Sequence, residues 1–153
     1  MKKYEFTGET KEIRLLFRTA TLHRIRATVA FGIVEVGDLG GWIEKEENLS
    51  HEGKAWVCGD AKVCGDAKVF SASHVLVIGA IGSRNDFTTF YRDKDNEITV
   101  KCGCFLGKID RFLEKVIQTH GDSKYALVYR AAVEVAKLQI DLSGEAPKDA
   151  DEE

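Results

Sequence analysis

Between Ala55 and Gly79 the chain reads AWVCGD AKVCGD AKVFSA SHVLVIG, a pattern that returns every six residues. Ala55, Ala61, Ala67 and Ser73 form one ladder; Val57, Val63, Val69 and Val75 form a second, two residues on. In extended chain, residues i and i+2 share a face. Both ladders can therefore point inward while Trp56, Lys62, Lys68 and His74 point outward. Gly59–Asp60 and Gly65–Asp66 fall at corners, where Gly accepts unusual dihedrals and Asp bonds nearby backbone N–H groups. A six-residue period predicts a parallel β-helix of stacked rungs, and the spacing alone leaves its hand open. Ile43 and Leu49 lie on the same grid, so the predicted solenoid begins near Gly41. At three hexads per coil it makes only about two coils, so its ends need caps from the flanking segments or a second copy of the chain.

The flanks supply candidates for those caps. KYEFT at 3–7, a turn at Gly8–Glu9, EIRLLFR at 12–18 and the alternation of Ile25, Ala27 and Val29 with Arg24, Arg26 and Thr28 predict strands. Ile33–Val36 predicts a fourth. Gly37, Gly40 and Gly41 let backbone segments approach closely, with Trp42 over the corner into the solenoid. Downstream, residues 87–92 and 97–106 predict a hairpin about a turn at 93–96. Ile109, Phe112, Leu113, Val116 and Ile117 keep helical spacing up to His120 and Gly121. Asp122 or Ser123 can cap a second helix carrying Tyr125, Val128, Tyr129, Ala132, Val133 and Ala136. The predicted class is α+β. A short single-stranded β-helix over 41–82 is capped by an antiparallel block at 1–40 and followed by a ββαα subdomain at 83–141. The stretch 142–153 holds the only proline and is expected to be a disordered acidic tail.

The net charge of −3 hides an uneven distribution. From Asp141 onward six acids face one lysine, so the preceding chain carries a net charge of about +2. A nearly neutral body gives no electrostatic case for bulk nucleic-acid binding. No apolar run reaches the length of a membrane span, and Met1-Lys2-Lys3 opens onto Tyr4-Glu5-Phe6 rather than an apolar leader. A cytoplasmic location is expected. Cys58 and Cys64 are six apart, and Cys102 and Cys104 two apart. Neither spacing matches the paired C-x₂₋₄-C of a zinc site, so reduced packing thiols are expected, with no metal and no cofactor.

Two basic regions can recognise an anion. Arg14, Arg18, His23, Arg24 and Arg26 cluster in sequence; the plainer reading is a solvated sheet face paired with the abundant glutamates. Ser83-Arg84-Asn85-Asp86 is a polar knot beside an apolar strand. There Arg84 can grip a carboxylate or phosphate bidentately and Asn85 can read an amide or base edge. Tyr125 and Tyr129 share a helix face and can stack a ring, or pack into the core with hydroxyls at its rim. Cys102, Cys104 and His120 are residue types of a thiol–imidazole nucleophile, although strand cysteines facing a helix are usually inert. His51 and His74 are the solenoid histidines and the only general-base candidates there.

VEVGDLGGWIEKEENLSHEGKAWV running into GDAKV rungs resembles the opening of the YdcK-like hexapeptide-repeat proteins, over roughly residues 23–70. The resemblance implies a left-handed β-helix and carries an acetyltransferase label that rests on fold analogy. This solenoid is shorter than those of the hexapeptide acyltransferases, which form trimers with a catalytic histidine between subunits. The C-terminal IGSRND…TVKCGCFLGKIDRF…THGDSKY resembles small uncharacterised proteins of phages and mobile elements, which implies a setting. The expected function is a non-enzymatic, homo-oligomeric binding protein. Its expected partner is a small anionic ligand, such as a host nucleotide signal sequestered for immune evasion, or a host protein. The candidate contacts are Ser83, Arg84, Asn85, Arg24, Arg26 and Tyr125, with no catalytic residue assigned. The alternatives are an acyltransferase using a solenoid histidine and a self-associating structural module.

Overall fold

A computed structural model describes residues 2–143. The first sheet contains β1 (Tyr4–Arg14), β2 (Thr19–Ala27), β3 (Leu39–Ile43) and β4 (Lys62–Val63), in that order. The second contains β5 (Val75–Ile81), β6 (Asp86–Arg92), β7 (Ile98–Cys102) and β8 (Phe105–Lys108), also in order. The helices α1 (Ile109–His120) and α2 (Lys124–Gln139) follow. Every strand pair is antiparallel except β3 with β4. The class is mixed α+β.

The expected β-helix is not what forms. Parallel contacts are confined to Trp42–Ile43 against Lys62–Val63 and a single bridge from Leu49 to Val69, an offset of twenty residues rather than three hexads. A 3₁₀ turn at Glu46–Asn48 breaks the grid before the repeat is under way. After Val69 a second 3₁₀ turn, Ala72–His74, passes the chain to β5. There the competition is decided by pairing length. Another rung would offer a two-residue ladder, whereas β6 offers Val75 to Ile78 four consecutive antiparallel partners.

What the hexads do dictate is burial. Ala55, Val57, Ala61, Val63, Ala67 and Val69 are all fully buried, in one cluster with Tyr4, Ile25, Ile43, Leu49 and Tyr91. The corners fall at Gly59 and Gly65, with φ of 55° and 63°. Gly40 is needed for close approach: a Cβ there would stand 2.7 Å from Ile25, Trp56 and the Val57 carbonyl. His74, assigned to the outward ladder, is instead 2% exposed, because the 3₁₀ turn rotates it inward against Phe70. Ile33–Val36 is not a strand: Phe31 and Val34 exchange two backbone hydrogen bonds around a tight turn. Gly8–Glu9 is a bulge within β1 rather than a turn, and the return strand breaks at Gly103 into β7 and β8.

Sheet two is the middle of three layers. On β5 to β7, Leu76, Ile78, Phe90, Ile98 and Val100 face α1 and α2, whose Phe112, Val116, Tyr129, Ala132 and Val133 close that core. The alternate residues Val75, Val77 and Tyr91 face the hexads. Tyr91 seals the seam by donating its buried hydroxyl to the Cys64 carbonyl at 2.7 Å. The Arg92 guanidinium and the Lys94 amide add hydrogen bonds to the Lys68 and Asp66 carbonyls. Asp93, 1% exposed, accepts from Thr99 Oγ1 at 2.7 Å, Lys108 Nζ at 2.8 Å and the amides of Asp95 and Glu97. Burial pushes this carboxyl up, but those donors outweigh it and hold the group below its ordinary range.

Leu142 packs against the helical core, and its carbonyl accepts from Asn96. The remainder of the expected tail, residues 144–153, lies outside the described residues. No helix among the described residues is long and apolar enough to cross a membrane.

Candidate functional site

Three turns meet at one end of sheet two. The β5–β6 turn carries Ser83, Arg84 and Asn85, all exposed, and is closed by the Asn85 amide on the Gly82 carbonyl at 3.2 Å. Asn85 takes the left-handed conformation that Asn tolerates, with φ of 50°. The β7–β8 turn brings Gly103 beneath Arg84, whose guanidinium occupies the place a side chain at 103 would fill. Lys101, 6% exposed, holds that turn by donating to the Gly103 carbonyl at 2.5 Å, and burial lowers its ammonium below the ordinary lysine range. The α1–α2 turn adds His120 and Tyr125.

Tyr129 joins the three. Its hydroxyl lies against Gly82, where any Cβ would overlap it, and reaches Ser83 and Cys102. Burial, with Cys102 beside it, pushes the phenol up to about 12, so it remains a neutral donor. The His120 ring stands 5.7 Å from the Tyr129 ring at 28°, and 5.7 Å from Tyr125 at 56°. Lys124 Nζ lies 5.6 Å from the Tyr125 ring centre. The rim thus combines a guanidinium, an ammonium, hydroxyls and a half-open run of rings.

Among the described residues Arg84 makes no ion pair. The other arginine candidates are engaged. Arg26 places two nitrogens on Glu5 Oε1, at 2.7 and 3.1 Å. Arg24 reaches Glu9 at 3.6 Å, with its guanidinium over Trp42. Both belong to sheet one, on β2, whereas the Ser83–Asn85 turn joins β5 to β6 in sheet two. Arg18 is bidentate on Glu44. The structure therefore brings Ser83, Arg84 and Asn85 together, ties Tyr125 to them through His120 and Tyr129, and leaves Arg24 and Arg26 on a glutamate-paired face.

Each histidine of the repeat accepts a backbone amide on Nδ1. His74 Nδ1 accepts from the Phe70 amide at 3.3 Å, and burial lowers its imidazolium pKa. His51 stacks on Tyr4 at 4.0 Å and accepts the Lys3 amide on Nδ1, while its buried Nε2 has no partner among the described residues. Cys102 accepts from the Thr88 hydroxyl at 3.4 Å and adjoins the Tyr129 hydroxyl, while His120 stacks on the Tyr129 ring. Among the described residues no group of three or more His, Cys, Asp or Glu could hold a metal ion. A cavity of about 270 Å³ lies between the Phe31–Val34 turn, Trp56 and β5, and none of its lining belongs to the rim.

Tyr129, His120, Lys124 and Gly103 were not among the ligand-contact assignments made from sequence. The i, i+4 spacing of Tyr125 and Tyr129 was the one local signal available. No protein-family model matches the chain, and no curated protein matches it at a significant level.

Proposed function

We propose that the protein is a non-enzymatic, oligomeric binding protein that captures a small anionic ligand carrying a ring, such as a host nucleotide signal. The resemblance of the C-terminal stretch to small phage and mobile-element proteins suggests such a setting for it. The carrying observation is that Arg84 has no carboxylate partner among the described residues and stands beside the Tyr129–His120–Tyr125 run. A guanidinium in that position offers a bidentate grip to a phosphate. Lys124 adds a second cation, and the rings offer a stacking surface for a base. Ser83 and the backbone of the positive-φ turn contribute neutral donors. This reading assigns Arg24 and Arg26 to structure.

The acyltransferase reading asks for an imidazole nitrogen that a substrate can reach, whereas His74 is 2% exposed and the unpartnered Nε2 of His51 is buried. The experiment is a thermal-shift screen of purified protein against mono-, di- and cyclic nucleotides, followed by heat release and chromatography of the ligand. A shift that Arg84→Ala abolishes, with the ligand recovered intact, is expected. A ligand consumed on incubation, or a shift indifferent to Arg84→Ala, would overturn the proposal.

A further inference from the structure

Of the two histidines in the repeat, His51 reaches back to the start of the chain. Its Nδ1 accepts the Lys3 backbone N–H at 3.0 Å, across 48 residues of sequence. Its ring stacks on Tyr4 at 4.0 Å and 15°. A neutral imidazole that accepts on Nδ1 carries its hydrogen on Nε2. That Nε2 is buried and has no acceptor among the described residues. A further proton has one place to go, the Nδ1 lone pair that already holds Lys3. Charging the ring therefore sets N–H against N–H and leaves it with two unanswered donors.

The surrounding charges also weigh against that proton. Burial, with Lys2, Lys3 and the terminal amine on the β1 side, lowers the imidazolium below the ordinary histidine range. Glu46, from the 3₁₀ turn, favours the charge, but its Oε1 is taken by Lys2 at 2.9 Å. Burial pushes the Tyr4 phenol up, so it faces the ring uncharged. We infer that His51 is an acid-released latch: uncharged, it holds the chain entering β1 onto the repeat, and a proton on Nδ1 frees Lys2 and Lys3 from it. The bonds that go with it are Lys3 Nζ on the Ala55 carbonyl at 2.6 Å, the Thr28 amide on the Lys3 carbonyl at 2.9 Å and the Thr28 hydroxyl on the Lys2 carbonyl at 2.6 Å. Tyr4 stays, because its hydroxyl donates to the Glu46 and Leu49 carbonyls. The folded histidine is depressed, so its contribution is complete above about pH 6.5 and is lost as pH falls through the lowered value. The closed-to-open ratio falls by up to about tenfold per pH unit in that range, or ~30-fold by pH 5. His74 is arranged differently. The amide it accepts, from Phe70, lies in its own turn, and the Asp141 main chain bonds the ring in a way that favours its charge, against Arg92, which opposes it. The latch closes the start of sheet one and the Arg84 rim lies on sheet two, so acid release and ligand capture are tested separately.

The test is NMR of the histidine ring nitrogens, with hydrogen exchange of the Lys3 and Thr28 amides, at pH 7.5 and pH 5. In the wild type His51 is expected in its Nε2–H form at pH 7.5, and both amides are expected to lose ~30-fold in protection, corrected for intrinsic exchange, by pH 5. His51→Asn offers an acceptor in the place of Nδ1 that does not titrate, and is expected to keep the same protection at both values. His51→Ala is expected to leave both amides unprotected throughout. An Nδ1–H ring at pH 7.5, wild-type protection unchanged at pH 5, or a His51→Asn protein with the wild-type pH dependence would each overturn the inference. The first two results are read on the wild type, so they decide it even where a variant does not fold.

Discussion

Tyr91→Phe removes one oxygen from the seam between sheet two and the hexads. Tyr91 is fully buried, its ring lies in the core formed by Val57, Val63 and Val69, and its hydroxyl donates to the Cys64 carbonyl at 2.7 Å. The lost hydrogen bond is worth ~1 kcal/mol net, and a buried carbonyl left without a donor costs ~1–3 kcal/mol. The two overlap, so the expected loss is ~2 kcal/mol. For a chain of this length that corresponds to a fall in Tm of ~4–8 °C. Urea denaturation is the assay, with the midpoint lowered and the slope unchanged. Tyr4→Phe is the matched case, because its hydroxyl donates to the Leu49 carbonyl at 2.6 Å and the Glu46 carbonyl at 3.0 Å. A loss below ~0.5 kcal/mol for Tyr91→Phe would refute the view that side-chain pins, rather than rung stacking, hold the repeat in place.

Burial draws the Lys3 ammonium down to about 8; it is 3% exposed and donates to the Ala55 carbonyl at 2.6 Å. Between about pH 8 and 10.5 the unfolded chain binds a proton that the folded chain has lost, so this group makes stability rise with pH there. In Lys3→Met that rise is removed, as read from urea midpoints across the window. Asp93→Asn leaves Lys108 facing an amide in place of a buried carboxylate and is expected to cost ~3 kcal/mol. The wild type loses the Asp93 contribution as pH falls below about 4, because the folded group is depressed below its unfolded value, and the variant's acid limb is correspondingly flatter. Gly82→Ala places a methyl on the Tyr129 hydroxyl at a φ of 77° and is expected to destabilise by ~1–3 kcal/mol. It should also weaken nucleotide binding by displacing the rim, which a paired melting and titration experiment checks.

The periodicities carried the faces of the elements further than their partners. From Ala55 to Val69 the hexad ladders announced which side chains are buried, because strand alternation decides that locally, and they failed at His74, which a 3₁₀ turn rotates inward. Their closure into coils was not legible. The Leu49–Val69 pairing spans twenty residues, and the competing partner β6 lies beyond the repeat. The helix at 109–120 was legible from its apolar stripe and its glycine stop, and the structure ends it at His120 with Gly121 at a φ of 57°. Arg24 and Arg26 were visible as a basic cluster. Their neutralisation depended on the β1–β2 register, which sets Glu5 opposite Arg26 and brings Glu9 to Arg24 across a bulge. Ser83, Arg84 and Asn85 stood out because charge interrupts an apolar run. Tyr129 as their hub did not, because Gly82, Cys102 and His120 reach it from three different turns.

The central claim is that an anion sits on Arg84 and leaves unchanged. A crystal structure of protein purified directly from cells tests it most directly. The account predicts density for a phosphate-bearing ligand on the Arg84 guanidinium, with its ring against His120 and Tyr125. A ligand seated on the Arg24–Arg26 face, or a reacted product at the rim, would contradict it.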